Sequence, residues 1–350
     1  MAPVFTLLLI AALITMAGCR DGKPPEPGKS SEAQASTRTI SYYRDRSVTV
    51  PAEITRIACG WPAQNSVIAM LGYGDRIVAT TTTIKSIPLF EKFVPSISRA
   101  SYCFGPREYS REELLKTRPE VLFIPDSARG RFDQLENAGI TVISFRDNSL
   151  RALVERTVIT GEILGPDAHE KALKYREYFN GNVERVRKVL AGIPKEKRVR
   201  LYHSMGDPLS TAGKESLVQD WMDHSGAVNV AENWFSGAKV GVAPVEQIIS
   251  SDPDAILVMT STAAEEIKKD PKWATVKAVR DNRVYVNPRG MFWWCRETAE
   301  EALQFLWLAK TLYPDHFRHV DMNRETKYFY KTFYGYDLSG AEIRSILHPS

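Results

Sequence analysis

The 350-residue sequence lacks any run of about 18 to 20 consecutive apolar residues, the length that a bilayer-spanning helix needs. It also lacks a block rich in lysine and arginine. These residues number 46 against 42 aspartates and glutamates and are spread along the chain, so we expect no nucleic-acid partner. With 43% hydrophobic residues, the chain has enough apolar material for roughly two domains of about 150 residues each.

Sequence signatures of common catalytic sites are missing as well. We find no Gly-x-Ser-x-Gly elbow, no His-Glu-x-x-His pair and no glycine-rich phosphate loop. An exported α/β enzyme therefore remains only a remote alternative. A surface-displayed adhesion or structural module is a third interpretation, and it predicts no deep cleft.

The longest apolar stretch, Val4–Ala17, lies at the N-terminus and ends in Met16-Ala17-Gly18-Cys19. This ending resembles a bacterial lipobox, although residues 1–18 contain no lysine or arginine. We predict a signal peptide over residues 1–18, with Cys19 as the lipidated first residue of the mature chain. Residues 19–38, polar and rich in Pro, Gly and Ser, would be a lipidated tether that holds the protein at the membrane. The alternative is an ordinary cleaved secretory peptide.

Three cysteines remain beyond Cys19, an odd number, so at most one disulfide can form. Cys59 and Cys103 both follow apolar segments and could pair, or could join Cys295 in a soft metal site. The spacing fits no zinc pattern, and we favour plain buried thiols over either arrangement.

An internal repeat organises the rest of the chain. Residues 112–124 and 246–258, offset by a constant 134 positions, each open with a glutamate on an amphipathic segment, reach proline seven positions later and continue as an apolar run. Each copy predicts a helix that leads into a buried parallel strand. Further strands are expected at Ile140–Phe145 and Arg283–Asn287, which indicates two α/β lobes.

Helical periodicity over residues 149–164 and 167–190, broken at Gly165-Pro166, predicts a long helical bridge between the lobes. Asn148 or Ser149 is its expected cap. We therefore expect an N-terminal lobe at 39–148, a bridging helix within 149–192 and a C-terminal lobe at 193–350, each lobe with a mostly parallel sheet flanked by helices. Thr298–Leu312 and 323–347 should add helices to the second lobe.

The order of several motifs completes the pattern: Ile57-Ala58-Cys59-Gly60 followed by Leu71-Gly72-Tyr73-Gly74-Asp75-Arg76-Ile77-Val78, the two repeats, and Leu306-Trp307-Leu308-Ala309-Lys310. Over residues 38–348 the chain resembles the substrate-binding proteins of bacterial ABC importers for iron complexes and vitamin B12, whose lobes are joined by one long helix. The resemblance implies a monomer without a cofactor of its own that captures a ferric siderophore and delivers it to an ABC permease dimer. Haem, a corrinoid or a nickel chelate are alternative ligands within the same fold.

Ligands of open α/β sheets bind beyond the carboxyl ends of the strands, so the loops after the predicted strands supply the candidates. The candidate ligand-binding residues are Trp61, Gln64, Tyr102, Cys103, Arg129, His203, Met205, Trp234, Arg289, Trp293 and Trp294. Their aromatic faces and guanidinium groups suit a large, partly aromatic anion such as a ferric catecholate.

Four of these candidates carry further expectations. Adjacent tryptophans on a strand face opposite ways, so one of Trp293 and Trp294 should lie in the core and the other in the cleft. His203 and Met205 could ligate a metal directly, although a hydrogen-bonded rim histidine is the commoner arrangement.

The glutamate that opens each repeat has a separate role in the family that this chain resembles, where it docks against arginines of the permease. The resemblance assigns that role to Glu112 and Glu246. The alternative is an acid favoured at a helix start by the helix dipole.

Overall fold

The computed structural model of the protein describes residues 36–106, 108–235 and 240–349. The predicted signal peptide, Cys19 and most of the predicted tether lie outside these ranges. Residues 37 and 38, placed at the end of the tether by the sequence, already belong to the first strand. Among the described residues, no helix is both long enough and apolar enough to cross a membrane.

The first lobe is built on a parallel sheet. Its elements are β1 (Thr37–Tyr42), β2 (Arg46–Pro51), β3 (Ile57–Cys59), α1 (Pro62–Met70), β4 (Ile77–Thr81), α2 (Thr82–Lys85), α3 (Pro88–Phe93), β5 (Ser101–Phe104), α4 (Arg111–Lys116), β6 (Val121–Pro125) and β7 (Thr141–Phe145). Strands β3 to β7 form one parallel sheet in the order β5-β4-β3-β6-β7, and β1 and β2 form an antiparallel ribbon. Its central strands are buried almost throughout, as expected of a parallel sheet that is covered on both faces.

Two helices follow the first lobe, α5 (Leu150–Leu164) and α6 (Pro166–Leu190). The Ser149 hydroxyl caps α5 by accepting from the Ala152 amide at 3.0 Å, and Gly165 and Pro166 separate the helices as the sequence predicts. At 1.5 Å per residue, the 25 residues of α6 span about 37 Å. A Cβ at Gly161 would lie 2.7 Å from the Ala168 carbonyl oxygen, so glycine there permits the close packing of α5 on α6.

The second lobe repeats the parallel architecture with a smaller sheet. Its elements are β8 (Arg200–Ser204), β9 (Ser210–Ala212), α7 (Leu217–Ser225), β10 (Val228–Asn229), β11 (Val240–Val242), α8 (Val245–Ser251), β12 (Ala255–Val258), α9 (Ser261–Lys269), α10 (Lys277–Arg280), β13 (Val284–Val286), α11 (Glu301–Leu312), α12 (Met322–Phe329) and α13 (Gly340–Leu347). The sheet order is β10-β8-β12-β13, all parallel, with β9 and β11 as an antiparallel ribbon. A π-helical turn, Tyr330–Tyr334, extends α12.

The predicted fold class is confirmed, since each repeat is a short helix followed by a buried strand: α4 and β6 in one lobe, α8 and β12 in the other. One continuous hydrophobic cluster reaches from the first lobe through α6 into α11. Tyr175 and Asn182 of α6 donate hydrogen bonds to the carbonyls of Ala299 and Ala302, each at 2.9 Å. The long helix therefore packs firmly on the second lobe.

The segment around the paired tryptophans differs from prediction. Trp293 and Trp294 lie in an irregular loop with a single bridge between Arg289 and Trp293, and no strand continues through them. The backbone here is irregular, and buried side chains described below form hydrogen bonds with it.

Candidate functional site

A cleft of about 490 Å³ opens between the two lobes at the carboxyl ends of their strands. The first lobe lines it with Trp61, Pro62, Ala63, Ser127, Asp147 and Asn148; the second with Met205, Ala212, Ser216, Leu217, Val218, Val240, Phe292, Cys295, Arg296 and Glu297. These loops follow β3, β6, β7, β8 and β9, as the general rule for open sheets expects, together with the irregular segment after β13. A smaller cavity of about 280 Å³ in the first lobe shares Trp61 and Pro62 with the cleft.

Trp61 stands at the junction of the two cavities and is backed by a buried cation. The Arg156 guanidinium, on α5, stacks 3.9 Å from the centre of its ring and donates a hydrogen bond to the Glu297 carbonyl oxygen of the second lobe. Arg156 is fully buried, and burial lowers the pKa of its guanidinium. A residue of the bridging helix thus joins both walls of the cleft.

Charged groups on the cleft wall are mixed in sign. Asp147 accepts a hydrogen bond from the Ser127 hydroxyl at 2.7 Å, and the Glu297 carboxylate accepts one from the Asn148 amide. Burial raises the pKa of Glu297, whereas Arg296 is exposed and forms no ion pair with any described acid. The wall therefore offers two acids and one free guanidinium, with no concentration of positive charge among the residues described.

Two of the predicted ligand-binding residues, Trp61 and Met205, line this cleft. Phe292, which sequence reasoning passed over, also lines it, and packs edge-on against Trp293 with 5.1 Å between ring centres. Trp293 is half-buried and donates its indole N–H to the Met259 carbonyl at 3.1 Å, and the Arg289 guanidinium stacks 4.1 Å from its ring. Neither Trp293 nor Arg289 is part of the lining.

Four predicted residues lie in the core instead. Gln64, Cys103, His203 and Trp294 are fully or almost fully buried and do not line the cleft. Gln64 donates to the Thr160 hydroxyl at 2.8 Å, because α1 turns it toward α5. The sequence expected one tryptophan of the pair in the core and the other in the cleft; Trp294 is the core residue, whereas Trp293 does not line the cleft.

His203 is buried against Trp221, with 5.1 Å between ring centres, and its Nδ1 lies 3.1 Å from the Leu257 carbonyl. Burial lowers the pKa of this histidine to about 3, so it is neutral at physiological pH. It is a core residue and not the rim residue or exposed ligand that its position after a strand suggested.

The other three predicted residues lie away from the cleft. Tyr102 is exposed with the Lys85 ammonium over its ring, and Trp234 is half-buried against Tyr202. Arg129 is engaged by ion pairs with Asp133 at 3.2 Å and Glu136 at 2.6 Å. Each of these side chains contacts residues of its own lobe and does not line the cleft.

The cysteines are free and buried. Burial raises the pKa of Cys59 and Cys295 to about 12 and that of Cys103 to about 11, so all three are thiols at neutral pH. In the described ranges, no three His, Cys, Asp or Glu side chains come together as metal ligands. The plain buried thiols favoured from the sequence are what the structure contains.

The two repeat glutamates are exposed and lie in the first turns of α4 and α8, and neither lines the cleft. Glu112 pairs with Lys116 at 2.9 Å, and that ion pair lowers the pKa of Glu112. Their side chains are accessible on both lobes.

Sequence reasoning missed Arg156, Asp147, Phe292, Arg296 and Glu297. Arg156 carried one detectable signal, since it is a cation on a helical face that otherwise holds Leu153, Thr160 and Ile163, all of them buried. The three residues of the 292–297 loop carried none, because the chain after β13 is irregular and no periodic pattern marks which of its side chains face the cleft.

Two α/β lobes, a helical bridge and an interlobe cleft are the architecture of a two-lobed binding protein. The family model described as periplasmic binding protein matches residues 57–289, and the chain belongs to this family. The resemblance stated from the sequence is thereby confirmed, as is the expectation of a binding protein and not an enzyme.

Among relatives, the molybdate-binding protein MolA of Haemophilus influenzae is 26% identical over 85% of this chain and 91% of its own. An uncharacterised ABC transporter substrate-binding lipoprotein, YvrC of Bacillus subtilis, is 25% identical over 91% of this chain and 98% of its own. A cobalamin-binding protein of Halobacterium salinarum is 24% identical over 80% of this chain and 75% of its own.

Solved structures share the fold. A periplasmic solute binding protein from Veillonella parvula matches with a TM-score of 0.78 at 24% identity, over 89% of this chain and 97% of its own. MolA bound to molybdate matches with a TM-score of 0.77 at 22% identity, over 86% of this chain and 99% of its own.

Proposed function

We propose that this protein is the extracytoplasmic substrate-binding component of an ABC importer, and that it carries a metal complex, in the first place a ferric siderophore, in the interlobe cleft. Membership of the periplasmic binding protein family supports the transport role, and relatives of this chain are named for ABC import and for metal-containing ligands. The choice of ligand class rests on the cleft itself.

The observation that carries the ligand class is an aromatic side chain on each wall. Trp61 of the first lobe and Phe292 of the second both line a cleft of about 490 Å³, a volume typical of sites for small organic ligands. Flat apolar surfaces bind planar chelating groups well. A bare oxyanion of a few atoms would leave most of this space unfilled.

The charges of the wall support the same choice. A small oxyanion is held by several N–H donors and cations, whereas the described lining offers Arg296 alongside the acids Asp147 and Glu297. Of the two arginines among the candidates from the sequence, Arg129 is engaged in ion pairs and Arg289 does not line the cleft. The geometry therefore favours a large chelate, whose charge is spread over many atoms, over a compact oxyanion, with Arg296 as the group that meets an anionic edge.

Tryptophan fluorescence titration tests this proposal with four probes: the ferric complex of 2,3-dihydroxybenzoate, haemin, cyanocobalamin and sodium molybdate. We expect the ferric catecholate to bind at micromolar concentration or below. In Trp61→Ala the affinity should fall about tenfold, since a stacked aromatic pair contributes roughly 0.5 to 1.5 kcal/mol beyond the buried area.

Trp307→Phe is the matched control, because Trp307 is as buried as Trp61, at 8% exposure each, and lies on α11 outside the cleft. It should bind the ferric complex like the wild type. A fluorescence response to molybdate alone would show that the cargo is an oxyanion and not a chelate. A response to haemin alone or to cyanocobalamin alone would show that the cargo is haem or a corrinoid.

We also propose that Cys19 is acylated and anchors the protein, which the Met16-Ala17-Gly18-Cys19 motif supports. Wild-type protein expressed in bacterial cells should partition into the detergent phase of a Triton X-114 extract, and Cys19→Ala should move to the aqueous phase. Equal partitioning of the two proteins would show that the N-terminus is an ordinary secretory peptide.

A further inference from the structure

The second wall of the cleft contains a loop, Met291–Glu297, that contributes Phe292, Cys295, Arg296 and Glu297 to the lining. A single bridge joins this loop to the preceding chain, and no regular strand supports it. Its position therefore depends on side chains that bind its backbone.

Glu300 supplies that support. Its carboxyl group is fully buried; Oε1 lies 2.8 Å from the Met291 amide and Oε2 lies 3.1 Å from the Phe292 amide. The Thr298 hydroxyl is 3.0 Å from Oε2, and the Tyr330 hydroxyl donates to Oε1. One side chain thus binds two consecutive amides of the loop.

Gly290 shows how closely this group is packed. A Cβ on residue 290 would overlap both the Tyr330 hydroxyl and Oε1 of Glu300. Because both atoms are buried and hydrogen-bonded, neither can give way, so the residue before the loop has to be glycine.

From Glu300 a chain of hydrogen bonds continues into the first lobe. The Thr298 hydroxyl lies 2.7 Å from the Ser66 hydroxyl of α1, which in turn lies 2.7 Å from the Ala63 carbonyl oxygen. Ala63 belongs to the first wall of the cleft. The two walls are therefore connected through three hydroxyl or carboxyl groups.

Counting protons along this chain decides the state of Glu300. The chain contains three contacts between oxygen atoms: Ala63 to Ser66, Ser66 to Thr298 and Thr298 to Glu300. Each contact needs one proton, and the two hydroxyl groups supply two of the three. A neutral carboxyl group supplies the third. Ionisation would leave one contact between two oxygens without a proton.

We infer that Glu300 is a positioning residue of the cleft, which holds the Met291–Glu297 loop and, when protonated, completes the hydrogen-bond chain that joins this loop to α1 of the first lobe. The inference rests on the proposed function only in taking the cleft as the place where cargo binds. It gives the site a pH dependence of its own.

The electrostatics agree with the proton count. Burial raises the pKa of Glu300 to about 7. The titratable groups that face it are the phenols of Tyr330 and Tyr334 on the π-helical turn and Tyr175 on α6, whose pKa values are raised well above the ordinary value, mainly by burial. The neighbouring acids Glu297 and Glu301 also have pKa values raised by burial, but only Glu300 accepts hydrogen bonds from the Met291 and Phe292 amides, and the Glu300→Gln variant separates its titration from theirs.

The sign of the effect follows from linkage. Opening the loop exposes Glu300 to water and returns its pKa to the ordinary value near 4.5. The closed loop binds the proton more tightly, so it is favoured at low pH and lost as the pH rises through 7. Between pH 6 and pH 8 the opening equilibrium should increase about tenfold.

Hydrogen–deuterium exchange of the ligand-free protein measures this directly. After correction for the intrinsic exchange rate, the amides of residues 291–297 should exchange about ten times faster at pH 8 than at pH 6. In Glu300→Gln the amide nitrogen cannot accept a hydrogen bond, so Phe292 should lose protection at both pH values and the difference between them should disappear.

Glu325→Gln is the matched control, since Glu325 pairs with Arg185 at 2.6 Å in the same lobe and does not contact the loop. It should keep the tenfold step. If Glu300→Gln does not fold, Ser66→Ala serves instead, because it removes one hydroxyl group from the hydrogen-bond chain and keeps Glu300. The difference in exchange rate between pH 6 and pH 8 should then become smaller. Equal exchange at the two pH values in the wild type, or a full step in Glu300→Gln, would overturn the inference.

Binding of the ferric 2,3-dihydroxybenzoate complex at the same two pH values separates this inference from the proposed function. If no chelate binds but the exchange step is present, the cargo is wrong and the role of Glu300 stands. If the chelate binds and the step is absent, Glu300 has only a packing role.

Discussion

The two walls of the cleft are held by different kinds of interaction. In the first lobe, Trp61, Pro62 and Ala63 follow β3 immediately and begin α1, so regular secondary structure places them. In the second lobe, the Met291–Glu297 loop is held by Glu300 and by the contact of Arg156 with the Glu297 carbonyl. Backbone geometry positions the Trp61–Ala63 segment of the first wall, and buried polar side chains position the Met291–Glu297 loop of the second.

This difference has a consequence for how each wall responds to change. A strand-to-helix turn is insensitive to pH, because its hydrogen bonds are between backbone groups that do not titrate. The position of a loop that is held by a buried carboxyl group depends on whether that group is protonated and on whether the surrounding atoms leave room for it. We therefore expect small perturbations to affect the second wall more than the first.

The largest effect should come from Gly290→Ala. The added methyl group would overlap the Glu300 carboxyl and the Tyr330 hydroxyl, and we expect the free energy of unfolding to fall by about 3 kcal/mol or more, at the upper end of overpacking costs. Urea denaturation followed by circular dichroism measures it. A loss below about 1 kcal/mol would show that the group has room to move.

Gly60→Ala is the counterpart on the first wall, next to Trp61. There a Cβ would lie 3.2 Å from the Phe104 ring and 3.3 Å from a methyl group of Ile124, side chains that can shift by a few tenths of an ångström. We expect a loss of about 1 kcal/mol or less. Equal losses for the two alanine variants would remove the contrast between the walls.

The smallest effect on the folded protein should come from changing the exposed glutamate that opens the repeat in each lobe. We propose that Glu112 and Glu246, exposed on equivalent helices, dock together on the permease, so that two weak contacts act at once. Glu112→Lys combined with Glu246→Lys should leave binding of the ferric complex unchanged and abolish its uptake by cells.

The double variant Glu170→Lys with Asp315→Lys is the control for net charge, since both residues are exposed and lie outside the repeats. It should support normal uptake. Wild-type uptake by the Glu112 and Glu246 variant would leave these residues as helix-start acids only.

Much of the fold was predictable because it depends on local patterns. The 134-residue repeat marks a helix and a buried strand in each lobe, since proline ends the helix and a short apolar run continues as the strand. Gly165-Pro166 marks the break between the bridging helices for the same reason. Ligands bind beyond the carboxyl ends of the strands, so the loops that follow the strands line the cleft. Trp61 and Met205 lie in such loops, and their place in the cleft could therefore be predicted.

The sequence by itself determined the two-lobed α/β class, the helical bridge and the edge of each sheet where the cleft lies, because periodicity, proline and glycine act over a few residues. Only the tertiary structure decided which side chains reach that cleft. Gln64, His203 and Trp294 point into the core, while Arg156 and Glu300, 144 positions apart, support the cleft walls from beneath. Such roles depend on burial and on hydrogen-bond partners distant in the chain, and these exist only once the lobes and the bridge have packed together.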